Sequence, residues 1–115
     1  MGIPWGAPDD LNTFMAMVNN IPQSWTFSAF SISRNQMPFV AAAVLAGGNV
    51  RVGLEDNLWL EKGVLASNAQ LVERAASIVT NLGSTVIGPQ QVRELLNLEK
   101  RAPGTQVSGT GTGGS

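Results

Sequence analysis

The sequence predicts an α/β fold built on a parallel sheet. Helical and extended periodicities alternate in the order helix, strand, helix, strand, helix, helix, the pattern of βα units. Two strands are too few to close a sheet, and a parallel sheet needs both faces covered. Charged residues make up only 13% of the 115 residues, about half of the usual ~25%. Either other protein normally covers part of this surface, or this is an ordinary Ala/Gly-rich domain. The strand pattern favours a segment of a larger α/β fold.

Each element has a local cause. Met1 to Pro8 is rich in glycine and proline and reads as a loop. Asp9 or Asp10 can accept bonds from the free amides of a first helix. Leu11, Phe14, Met15 and Val18 follow at helical spacing. Asn19-Asn20 ends that helix before Ile21-Pro22, since a residue preceding proline avoids helical angles. Ser24 to Phe30 alternates polar and apolar and predicts a strand. Ser31 to Asn35 connects it to a helix with Pro38 in its first turn. Phe39 to Ala46 is apolar nearly all round, so this helix should be buried on most sides, and Gly47-Gly48 stops it.

Asn49 to Glu55 predicts a second, valine-rich strand, and Asp56 to Ala66 a longer loop. Ser67 caps a third helix with Leu71, Val72, Ala75, Ile78, Val79 and Leu82 on its apolar face, and Gly83 stops it. Ser84 to Ile87 is a brief extended piece. Gly88-Pro89 opens a last helix through about Leu98, with Val92, Leu95 and Leu96 facing inward. Residues 1–102 form the structured segment. Residues 103–115 form a Gly/Ser/Thr-rich tail that cannot bury enough surface to order itself.

Composition removes several kinds of chemistry. There is no cysteine, so disulfides and thiolate catalysis are excluded, and no histidine, the commonest general base and a common zinc ligand. Seven basic and eight acidic residues leave no electrostatic footprint for nucleic acid. The apolar run Phe39 to Ala46 is far short of the ~20 residues that span a bilayer, so no membrane is expected. Met1 to Ala7 lacks the basic and apolar regions of a secretory leader, and a cytoplasmic location is the expectation.

The most informative stretch runs from Gly47 to Asn57. On a strand, Arg51, Gly53 and Glu55 share one face, while Val50, Val52 and Leu54 enter an apolar layer on the other. Gly53 leaves room beside the arginine and the glutamate for a ligand or for backbone approach. Asp56 and Asn57 lie just past the C-terminal end of the strand, where α/β folds bind their ligands. In the structural reading, Arg51 and Glu55 are an ion pair and Asp56-Asn57 an ordinary turn. In the functional one, Glu55 is a metal or catalytic carboxylate with Arg51 and Asp56 beside the reacting groups. One carboxylate cannot make a zinc site alone, so its partners would lie outside this chain.

At this strand the sequence resembles the β-keto acid cleavage enzymes, a family that includes the 3-keto-5-aminohexanoate cleavage enzyme. The resemblance rests on Val50-Arg51-Val52-Gly53-Leu54-Glu55-Asp56-Asn57, on Lys62 to Arg74 and on Gly2 to Pro8, and it covers about residues 1–98. It implies the C-terminal βα units of a (β/α)8 TIM barrel, incomplete here because such a barrel takes ~250 residues. It also implies a zinc-dependent reaction of a β-keto acid with acetyl-CoA, giving acetoacetate and a new CoA thioester. By carry-over Glu55 is the zinc ligand, and Arg51 and Asp56 form the pair that assists substrate deprotonation. The family's other zinc ligands are a His-x-His pair on an early strand, and this chain has no histidine. Asn49 stands where family members usually have histidine, and Trp59 often has a tyrosine counterpart.

Other residues have plainer readings. Arg34 stands at a barrel-top position that could meet a CoA phosphate, although a solvated arginine is the simpler expectation. Ser31 and Ser33 have no base nearby in sequence and are not proposed as nucleophiles. Trp5, Trp25 and Trp59 are expected as core or interface anchors, and Lys62 as a solvated loop residue. Two functions follow. One is an enzyme segment, inactive alone, that works in a homo-oligomer or with a complementing N-terminal barrel half. The other is a non-catalytic module that self-associates through its apolar layers.

Overall fold

The computed structural model describes residues 1–99; the tail expected at 103–115 lies outside the described residues. The elements are α1 (Leu11–Asn19), β1 (Ser28–Ala29), a 3-10 turn (Ser33–Asn35), α2 (Gln36–Leu45), β2 (Asn49–Val50), β3 (Trp59–Glu61), β4 (Val64–Leu65), α3 (Asn68–Asn81) and α4 (Pro89–Leu95). β1 and β2 pair in parallel, Ser28 opposite Asn49 and Ala29 opposite Val50, with α2 as the crossover. This is the βαβ unit that the alternation predicts.

Local chemistry sets the helix ends. Asp10 caps α1, its Oδ1 accepting from the Thr13 N–H at 2.8 Å. Ser67 and Gln70 form a capping box on α3, each side chain satisfying a backbone N–H of the other. The helices α2 and α3 end on Gly47 and Gly83, both with φ near +80°. The next N–H reaches back in each case, from Gly48 to the Ala43 carbonyl and from Ser84 to that of Val79. Both are Schellman closures, in which glycine takes the left-handed position without steric penalty.

The core lies on both sides of α2. Phe14 of α1, Ala29 of β1, and Phe39 and Ala43 of α2 form one cluster. Val40 of α2 meets Ala75 and Val79 of α3 in the other. Val50 and Val52 pack against this second cluster, the apolar layer the strand pattern requires. A helix sandwiched in this way needs apolar residues around most of its circumference. The exceptions are at its ends, where Pro38 and Leu45 are exposed.

Four expectations need correction. The regular ladder of the first strand covers only Ser28–Ala29 of the expected 24–30, and that of the second only Asn49–Val50 of 49–55. Ladder bonds need a partner, and the described residues offer each strand only the other. The expected loop after Asp56 contains an antiparallel hairpin, β3–β4, turning at Lys62-Gly63 with Gly63 at φ +81°. In α4, Leu95 and Leu96 are exposed and only Val92 is partly buried, because no described element packs on that face. Of the two places expected for Trp5, Trp25 and Trp59, core or interface, the core is excluded, since all three are exposed.

Candidate active site

Arg51, Glu55 and Asp56 come together at the C-terminal end of β2, by a route other than strand alternation. After Val52 the chain turns. The N–H groups of Asp56 and Asn57 both donate to the Gly53 carbonyl, at 3.2 and 3.1 Å. This turn swings Glu55 back toward Arg51. Arg51 Nη2 then lies 2.5 Å from Glu55 Oε1 and 3.2 Å from Asp56 Oδ2. One guanidinium therefore bridges two carboxylates.

A side chain at Gly53 would displace Glu55. A Cβ built there would stand 2.4 Å from Glu55 Oε2, well inside contact distance. The Glu55 carboxylate thus occupies the volume that any larger residue would fill.

Neighbouring elements fasten the turn. Gln36, in the first turn of α2 and 1% exposed, donates from Nε2 to the Gly53 carbonyl at 3.1 Å. Asn68, the first residue of α3, accepts from the Leu54 N–H at 2.9 Å. The Asp56 carbonyl accepts from the Ser33 N–H at 2.6 Å. Ser33 itself sits at φ +58°, a left-handed conformation uncommon for a residue with a Cβ. Asn57 is buried and brackets Trp59, its Oδ1 accepting from the Trp59 N–H and its Nδ2 donating to the Trp59 carbonyl. Sequence reasoning did not single out Gln36, which belongs to no motif, or Asn68, which lies within the Lys62–Arg74 run but was given no role of its own. A glutamine beginning an apolar helix was the available signal for the first.

The electrostatics follow the geometry. Hydrogen bonding to Arg51 holds the Glu55 carboxyl below its ordinary range. The same bond, and then the Asp56 charge, hold Arg51 above its own. Asp56 is the shielded member, its side chain 10% exposed. Its Oδ2 is near enough to Arg51 for an ion pair but not aligned with an N–H as a hydrogen bond, and it has no other protein partner among the described residues. Arg51 also lies over the Phe30 ring, 4.4 Å from its centroid, a cation–π contact that fixes the guanidinium plane.

A depressed carboxyl pKa means that the pairing is complete above the ordinary carboxylate value. It is lost as the pH falls through the lower folded one. Arg51→Ala is therefore expected to move Glu55 upward toward the ordinary carboxylate value, read by carbon-13 NMR titration of its side chain. An unchanged titration would show that Arg51 does not hold Glu55 in solution.

The remaining predicted positions lie at or near this end of the sheet. Arg34 and Lys62 line a cleft beside the hairpin. Ser31 is fully buried, its Oγ donating to Asp9 Oδ2 at 2.9 Å. It ties the opening loop to the end of β1 and is not available as a nucleophile. No described helix is long and apolar enough to cross a membrane.

Comparison with known proteins gives consistent matches over most of the described residues. The beta-keto acid cleavage enzyme family profile matches residues 1–98. A 3-dehydrocarnitine:acetyl-CoA trimethylamine transferase of Rhizobium meliloti is 72% identical over 101 residues, covering 88% of this chain and 34% of the relative. A 3-keto-5-aminohexanoate cleavage enzyme of Acetoanaerobium sticklandii is 38% identical over 101 residues, covering 87% and 37%. A 3,5-dioxohexanoate:acetyl-CoA acetone transferase of Paraburkholderia graminis is 34% identical over 97 residues, covering 83% and 31%. The chain spans about a third of the length of these curated relatives. With the match running through the site turn and both flanking helices, the chain belongs to the beta-keto acid cleavage enzyme family.

Proposed function

We propose that this chain provides the C-terminal βα units of a (β/α)8 barrel that cleaves a β-keto acid with acetyl-CoA. The observation that carries this reading is the Arg51–Glu55–Asp56 cluster at the C-terminal end of a parallel strand pair. That end is where α/β folds place their ligands. The names of the relatives support acetyl-CoA as co-substrate. They differ in the acyl partner, so the β-keto acid of this chain is left open.

Among the described residues no three His, Cys, Asp or Glu side chains are grouped to hold a metal ion, and the sequence has no histidine or cysteine. A zinc centre does not fit on this chain alone. Glu55, whose carboxylate is largely exposed and lies over Gly53, is proposed as one ligand of a centre completed by other protein.

Arg51 carries a fixed positive charge on a planar fork that suits a substrate carboxylate or an enolate oxygen. Asp56 is shielded, and its Oδ2 has no aligned donor. It can take a proton from the substrate while Arg51 steadies the negative charge left behind. Completion by a barrel half or by further copies of the chain is supported by the many exposed apolar side chains, Trp25 and Leu45 among them.

The test is zinc content and mass, by metal analysis with light scattering. The chain is measured alone and mixed with the first two thirds of a family barrel. Stoichiometric zinc is expected only in the mixture, with Glu55→Gln weakening it more than about tenfold. Micromolar or tighter zinc on the lone chain, or indifference to Glu55→Gln, would overturn the assignment.

A further inference from the structure

A cleft lies beside the Arg51–Glu55–Asp56 cluster. It has a volume of 570 Å³ and opens between the 3-10 turn after β1 and the β3–β4 hairpin, within the usual size of a small-molecule site, about 300–1,000 Å³. Its basic side chains differ in what they do. Arg74 is committed to the hairpin, bonded to the Leu60 carbonyl and, at 3.0 Å, to Glu61. Arg34 and Lys62 line the same cleft and have no ion pair or side-chain hydrogen bond among the described residues. With Glu61 neutralised by Arg74, the two free cations leave the cleft positive. Trp59, 46% exposed, adds an aromatic surface and Met37 an apolar one.

The cleft is built onto the catalytic turn. Asn57 lines it and follows Asp56 directly in the chain. Ser33, also in its lining, is the residue held at positive φ by its bond to the Asp56 carbonyl. Strained backbone of this kind gathers at functional sites, and here it sets the turn that begins with Ser33 and carries Arg34. A ligand with an aromatic, multiply anionic head and a long neutral arm could seat its head here and extend the arm toward Glu55 and Asp56.

We propose that this cleft binds the nucleotide end of CoA, with Arg34 and Lys62 on the phosphates and Trp59 against the adenine. The ligand rests on the proposed acetyl-CoA reaction, whereas the site rests on the cleft itself. Charge-assisted contacts to phosphate are the strong ones, and base–aromatic stacking supplies the part that bare phosphate cannot.

The test titrates the 115-residue chain with adenosine 3′,5′-bisphosphate and, separately, with inorganic pyrophosphate, by calorimetry. The bisphosphate is expected to bind, more weakly as salt rises, and pyrophosphate at least about tenfold more weakly. Arg34→Ala and Lys62→Ala should each weaken the bisphosphate about tenfold, or 1.4 kcal/mol, with the circular dichroism of the parent. Trp59→Ala should close the gap between the two ligands. Glu55→Gln should bind the nucleotide like the parent, which separates a failure at the metal from a failure at this cleft. No binding, equal binding of pyrophosphate by the parent, or indifference to Arg34→Ala and Lys62→Ala would each overturn the proposal.

Discussion

Leu71→Ala is expected to destabilise the fold by about 2–5 kcal/mol, the range for deleting a large side chain from a packed core. Leu71 is 0% exposed and heads the fully buried side chains by volume. Small domains are stable by only ~5–15 kcal/mol, so the loss should lower the melting temperature by about 10 °C or more. Its neighbour supplies the control. Val72 was assigned to the same apolar face, yet it is 55% exposed, and Val72→Ala should stay within about 0.5 kcal/mol. Thermal melts of the two variants decide the matter. Equal shifts would mean that α3 is seated differently from the arrangement described.

That contrast shows where a helical repeat stops being informative. The apolar stripe of α3 contains both Leu71 and Val72, and periodicity alone cannot say how wide a strip of it is covered. Leu71, Ala75 and Val79 are buried, the latter two against Val40 of α2, while Val72 and Leu82 are exposed. In α4 the same reading failed more completely, since the partner for Leu95 and Leu96 is not among the described residues. Caps and stops were legible because their causes are local. Asp10, Ser67, Gly47 and Gly83 act on backbone groups within a few residues of themselves.

The site was legible for a partly mistaken reason. Strand alternation put Arg51 and Glu55 on one face, and they do meet, but through a turn centred on the Gly53 carbonyl. A two-residue period puts side chains i and i+4 on one face but about 13 Å apart, whereas the tight turn brings them into contact, so the shared face was right although the backbone was not. The hairpin Trp59–Leu65 was missed although Lys62-Gly63 stands between two short apolar runs, a spacing that signals a two-residue loop. That omission hid the cleft, which needs the hairpin as a wall, and left Arg34 and Lys62 as two unrelated surface charges. Gln36 stands out only as a polar residue opening an apolar helix, and its partner, the Gly53 carbonyl, is 17 residues away, beyond the reach of local pattern.

Gly53→Ala tests the cluster without removing any of its charged groups. Gly53 does not have a positive φ, so the backbone accepts a side chain, and the change in stability should stay within about 1 kcal/mol. The obstacle is Glu55, whose Oε2 lies 2.4 Å from the new Cβ and whose Cδ lies 3.2 Å from it. Glu55 is exposed enough to swing outward, and nothing in the backbone must move with it. The expected result is a chain that melts close to the parent but whose Glu55 no longer reaches Arg51. Its carboxyl should then titrate nearer the ordinary value, above its position in the parent, and its hold on zinc in the completed barrel should weaken by about tenfold or more. A loss of stability without a change in Glu55 titration would show that Gly53 serves only the turn. An unchanged titration and unchanged zinc binding would show that the Glu55 carboxylate does not occupy the space above Gly53, and with it would go the geometric case for Glu55 as the ligand.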